Sequence, residues 1–118
     1  MSLIATSKPV DLVHLSHYTG DDAGLKAEVL DLFTKQAKDL LHRLEIALEK
    51  RESRDWHLTA HSLKGGARGI GAFALGDAAA AAEEIDPAAQ PDEAAVRLKA
   101  LRNRSKSVQL FIDAYLSV

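Results

Sequence analysis

Trp56, Ala60, Leu63, Ala67 and Ile70 recur at steps of four and three. That spacing lines one face of an α-helix and cannot line one face of a β-strand, so it constrains this chain more tightly than any compositional figure. The same rhythm runs through Ala94, Leu98, Leu101, Ser105, Val108, Ile112 and Tyr115, and through Leu25, Val29, Leu32, Phe33, Leu40, Leu44, Ala47 and Leu48. Gln36 falls inside the latter stripe and reads as an amide at the seam's edge or one satisfied by a neighbour. No segment alternates with the period of two that a strand requires. A chain of 118 residues has room for one core, so the apolar stripes must pack on one another.

The punctuation between the stripes sets the connectivity. Pro9 suits the first turn of a short helix that carries Val10, Leu12, Val13 and Leu15 and ends before Thr19-Gly20, covering one end of the core. Asp21 and Asp22 suit the start of a long helix over about 22–51, where carboxylates meet unpaired amides and the positive end of the dipole. Glu52-Ser53-Arg54 is a short break with Ser53 as the expected N-cap of the next helix, and so short a connection makes its flanking helices antiparallel neighbours. Gly69, Gly71 and Ala72 precede a small-residue helix over Phe73 to Ile85, in which Leu75, Ala79 and Ala82 face inward. Asp86-Pro87 through Gln90-Pro91 is a turn, and the last helix runs from about Asp92 to Leu116. The expected fold is all-α, an antiparallel up-down four-helix bundle with a short additional N-terminal helix. It forms one domain over 1–118, with 1–8 as a flexible leader in which Met1-Ser2-Leu3 resembles an expression leader.

Composition narrows the function. Fifteen basic and 17 acidic residues give a formal charge of -2, too balanced for a nucleic-acid surface. There is no cysteine, which removes disulfides and thiolate metal sites. No apolar run approaches the ~20 residues needed to cross a bilayer, and the N-terminus lacks the profile of a signal peptide. A cytoplasmic protein without membrane or nucleic-acid partners is expected.

The chemistry gathers at His61-Ser62-Leu63-Lys64-Gly65-Gly66-Ala67-Arg68-Gly69-Ile70-Gly71-Ala72. His61 stands one residue off the apolar seam, roughly 100° round the helix from it. It forms with His57, Lys64 and Arg68 a stripe expected to reach solvent. Gly65 lies one turn above His61 in a helix where glycine costs about 1 kcal/mol against alanine. The missing side chain leaves room for a bulky anion on the imidazole. A neutral imidazole can attack a phosphoryl group with one nitrogen if the other holds its proton against an acceptor. If the break at 69–73 folds two antiparallel helices about residue 72, the residue opposite His61 is near 83, and Glu83 is there. Glu83 is therefore the candidate for orienting the ring, and Lys64 the candidate for balancing phosphoryl charge.

His61, Lys64, Gly65, Ile70, Gly71, Ala72 and Leu75 resemble the signature of histidine-containing phosphotransfer (HPt) domains: His-x-x-Lys-Gly, a glycine-rich stretch, an aliphatic residue, Gly-Ala and a following leucine. The helical pattern extends the resemblance over nearly the whole chain. It implies that His61 is the phospho-acceptor, with a glutamine or glutamate often at the spacing of Glu83. It also implies exchange with the aspartate of a response-regulator receiver domain, fed by an upstream hybrid histidine kinase in a multistep phosphorelay. The chain would be a phosphoryl carrier, not an enzyme with its own nucleotide or kinase site. No resident cofactor or metal is expected, magnesium being brought by the receiver domain. The partner would dock over the stripe of His57, Leu58, Ala67 and Arg68, on what is expected to be a monomer.

Three other readings are weaker. Gly69-x-Gly71-x-x-Ala74 fits a loose dinucleotide fingerprint, but that fingerprint needs a preceding strand and a βαβ unit, and a helical seam precedes it here. His57 and His61 at i and i+4 could share a metal, yet Leu58 breaks the His-Glu-x-x-His pattern. A non-catalytic helical adaptor would need neither His61 nor Lys64, and both are retained. His14, His17 and His42 are scattered and read as surface or cap residues.

Overall fold

The first helix begins later than Pro9. In the computed structural model, which describes residues 8–117, Asp11 caps α1 (Leu12–Thr19) by accepting from the amides of Val13 at 3.0 Å and His14 at 3.1 Å. Pro9 stays outside the helix because the chain there is held across the bundle, with the Asp11 amide donating to the Gly71 carbonyl at 2.9 Å. The contact is close enough to specify the residue at 71. Gly71 has φ +86°, and a Cβ would stand 2.5 Å from the Asp11 carbonyl oxygen. The leader expected over 1–8 lies outside the described residues except for Lys8.

Asp22 caps α2 (Ala23–Lys50), accepting from the Leu25 amide at 2.9 Å. Its buried positions are Leu30, Phe33, Ala37, Leu40, Leu44 and Ala47, an unbroken three-four alternation. Leu32 is one residue off this line, which turns it outward, and it is 65% exposed; Leu25 also faces largely out. The expected stripe therefore included two leucines that the helix phase excludes, and omitted Leu30 and Ala37. Gln36 is exposed at the edge of the seam, with its amide oxygen against Gly66.

Arg51, in the left-handed region at φ 55°, ends α2, and α3 (Ser53–Gly69) returns antiparallel. Glu52, not Ser53, occupies the N-cap position. The Ser53 hydroxyl instead donates to the Asp86 carboxylate, tying the α2–α3 break to the turn after α4. This bond and the Ala88 amide hold the Asp86 carboxyl below its ordinary range. Trp56, Ala60, Leu63, Ala67 and Ile70 are all buried, as their spacing requires.

α4 (Phe73–Glu83) ends two residues before Ile85, and Leu75, Ala79 and Ala82 are fully buried. Its small residues let it approach α3 so closely that the Trp56 indole N–H donates to the Ala82 carbonyl at 2.7 Å. α5 (Pro91–Leu116) starts with proline in its first turn and buries Ala94, Leu98, Leu101, Val108 and Ile112. Neighbouring pairs α2–α3, α3–α4, α4–α5 and α2–α5 close an antiparallel four-helix bundle around one hydrophobic core, and α1 packs on α2. No strand occurs among the described residues.

Candidate functional site

The antiparallel fold of α3 against α4 pairs residue 61 with residue 83. The His61 side chain is 63% exposed, and its Nδ1 lies 3.0 Å from Glu83 Oε2. A carboxylate can only accept, so Nδ1 carries the proton and Nε2 keeps the lone pair. Nε2 has no hydrogen-bond partner among the described residues. Over this turn Gly65 presents nothing: a Cβ built there has no heavy atom within 4 Å.

Lys64 does not reach freely into solvent as the stripe suggests. Its Nζ sits 2.7 Å from Glu83 Oε1, and its side chain is 23% exposed. Attraction to a largely buried carboxylate bends the long side chain back across the α3–α4 groove. Glu83 thus holds one neighbour on each oxygen. The Lys64 ammonium keeps the Glu83 carboxyl below its ordinary 4.5, overcoming the opposing effect of burial, and the His61 N–H adds a lesser lowering.

His57, placed on the docking stripe by the sequence, is turned toward the same residue. Its Nδ1 lies 3.3 Å from the Glu83 backbone carbonyl and its Nε2 3.5 Å from Glu83 Oε2. Its ring runs nearly parallel to that of His61, at 17° and 6.5 Å between centroids. The tie between His57 and Glu83 is missed by periodicity, because it depends on α4 ending at residue 83.

Among the other expected docking residues, Leu58 is 49% exposed and Ala67 is fully buried. Ala67 lies on the apolar seam itself, where its methyl fills the core, so it cannot line a docking surface. Arg68 is half-exposed and pairs with Asp77 at 3.3 Å, its stem packed over Gly76. The register that sets Glu83 opposite His61 also sets residue 76 opposite Arg68, so this pair was within reach of the same arithmetic. Among the described residues no cluster of three histidine, cysteine or acidic side chains could hold a metal, and no helix is long and apolar enough to cross a membrane.

The assembled geometry is an accessible imidazole nitrogen, a carboxylate 3.0 Å from the other ring nitrogen and an ammonium one turn away. Residues 28–112 match the family model described as Hpt domain, which takes in most of the chain from within α2 to near the end of α5. The chain belongs to the Hpt domain family. Among solved structures it is similar to histidine-containing phosphotransfer protein B (HptB) from Pseudomonas aeruginosa PAO1, at 21% identity and a TM-score of 0.83, covering 91% of this chain and 93% of that one. At that identity the likeness is one of fold. No curated protein matches the chain.

Proposed function

We propose that His61 accepts and donates a phosphoryl group, passing it between receiver-domain aspartates in a multistep phosphorelay fed by a hybrid histidine kinase. The observation that carries this reading is the 3.0 Å contact between His61 Nδ1 and Glu83 Oε2, which commits the proton to Nδ1 and leaves Nε2 as the nucleophile on an exposed ring. Attack by Nε2 on an aspartyl phosphate forms a P–N bond and breaks the P–O bond to the aspartate, which leaves as a carboxylate. No proton needs to move. The ring gains positive charge as it is phosphorylated, and the Glu83 carboxylate stabilises that charge electrostatically. Lys64, one turn along, can swing from Glu83 Oε1 to a phosphoryl oxygen, where its charge meets about two negative charges. The open space above Gly65 gives the group room. The reaction's magnesium belongs to the receiver domain on this reading, and the face around Leu58 and Arg68 meets the partner.

The test is incubation with a phosphorylated receiver domain. Wild-type protein should acquire acid-labile phosphate, and His61→Gln, which keeps the size and polarity of an exposed side chain, should acquire none. Equal labelling of both proteins, or labelling of neither by any receiver domain of the source organism, would overturn the proposal and leave a helical adaptor.

A further inference from the structure

α4 ends at Glu83 without the usual means of closing a helix. The last turn contains no basic residue, the C-cap Glu84 is right-handed, and no glycine follows to satisfy the final carbonyls. The Ile85 amide reaches back to the Ala82 carbonyl at 3.1 Å, and two consecutive side chains of α3 add donors to this end of the helix. The Trp56 indole N–H reaches the Ala82 carbonyl at 2.7 Å, and the His57 Nδ1–H faces the Glu83 carbonyl at 3.3 Å. The residue so anchored is the one whose carboxylate holds His61.

We infer that His57 is a positioning residue for the His61 phosphoryl chemistry, acting through Glu83. The inference rests on the proposed function of His61 and extends it one residue outward. Because a carbonyl can only accept, Nδ1 of His57 must carry the proton in this contact, as Nδ1 of His61 does in its own. His57 Nε2 then carries the lone pair, so its 3.5 Å approach to Glu83 Oε2 is no hydrogen bond and the hold on Glu83 runs through the backbone carbonyl, while Lys64 occupies Oε1. Glu83 is therefore held at three points: its backbone carbonyl by His57, one carboxylate oxygen by Lys64, and the other by the His61 N–H. Removing His57 frees the terminal turn of α4 to fray, and the Oε2 to Nδ1 distance of His61 loses its definition.

The geometry separates the roles of the two His57 nitrogens. An asparagine places its amide nitrogen near the position of Nδ1 and can still donate to the Glu83 carbonyl; a glutamine reaches toward the position of Nε2; a leucine offers neither. The side chain of His57 is 57% exposed, so all three variants should fold, which circular dichroism would verify.

The decisive readout is the tautomer of His61, measured by long-range proton–nitrogen NMR on the full chain, beside the rate of phosphorylation by phosphoramidate, a small donor that needs no docking surface. Wild-type His61 should be predominantly Nδ1–H. His57→Leu should lower that preference and slow labelling by roughly three- to tenfold, the factor that one hydrogen bond of ordinary strength supplies. His57→Asn should restore both quantities, and His57→Gln should restore them less. Wild-type tautomer ratio and labelling rate in a folded His57→Leu would overturn the inference and return His57 to the docking surface. Loss in His57→Leu without recovery in His57→Asn would overturn it as well, by denying the carbonyl contact its part. Failure of the proposed function looks different, since the wild type itself would then take no label from any donor.

Discussion

Gly65 offers a substitution whose effects on folding and on transfer should run in opposite directions. It lies in the interior of α3, and a Cβ there meets no heavy atom within 4 Å, so alanine fits without adjustment. Replacing glycine by alanine in an exposed helix interior should stabilise the bundle by about 1 kcal/mol, and glutamine should recover somewhat more than half of that. For a domain of this size 1 kcal/mol corresponds to a midpoint rise of about 3–6 °C. Side chains on a helix tilt toward its N-terminus, so whatever is added at 65 leans over the turn below, where His61 stands. A methyl group is too short to cover the ring, but a glutamine is long enough to sit over Nε2. Gly65→Ala should therefore transfer near the wild-type rate, and Gly65→Gln should be slowed at least about tenfold, as a displacement of around 1 Å at a reacting centre is enough to do. Gly66→Ala is the control. Its Cβ makes ordinary contacts at 3.5 Å with Gln36 and Phe33 on the far side of the helix, so it should gain stability and leave transfer unchanged. Thermal unfolding by circular dichroism and a phosphate-transfer time course from one receiver domain measure both effects. A folded, stabilised Gly65→Gln that transfers at the wild-type rate would refute the steric account of that glycine.

Three further outcomes are expected. Lys64→Ala should slow labelling of His61 about tenfold or more through loss of a charge-assisted contact while costing the fold only about 1 kcal/mol, and chemical denaturation beside the labelling assay separates the two. The Glu83 carboxyl titrates lower in the folded than in the unfolded chain, so its contribution to stability is complete above about pH 4.5 and disappears as the pH falls through the lowered folded value. The difference in unfolding free energy between wild type and Glu83→Leu should accordingly shrink between neutral pH and pH 3, and a difference that grows on acidification would contradict the ion pair. Gly71→Ala forces a Cβ into the Asp11 carbonyl at a positive φ and should cost about 1–3 kcal/mol, with α1 amides losing hydrogen-exchange protection before those of α3.

The bundle was legible because its seams are long. Five helices and their order follow from periodicity and from turn residues such as Gly20, Gly71 and Pro91, and the register about residue 72 alone places Glu83 opposite His61. Phase was harder to read than period. Leu25 and Leu32 are as apolar as Leu30, and only packing on two neighbouring helices at once decides which leucines turn inward. Caps were misplaced for a related reason. Ser53 has the chemistry of an N-cap, but its hydroxyl finds Asp86, which is distant in sequence and adjacent in space. In the site, the sequence showed which side chains share a stripe and could not show where long ones bend. Lys64 folds back onto Glu83, the exposed His57 ring reaches the carbonyl at a helix terminus, and Ala67 belongs to the seam on which its own spacing had already placed it.

The contact between Lys64 and Glu83 bears on how hard a bound phosphate would be held. An idle cation would lend its full attraction to an incoming phosphoryl group and turn the loaded histidine into a thermodynamic trap. A cation already engaged at 2.7 Å lends only the difference between its new partner and its old one. Such an exchange narrows the free-energy gap that the cation alone would open between loaded and empty forms, which would suit an intermediary that must discharge as readily as it charges.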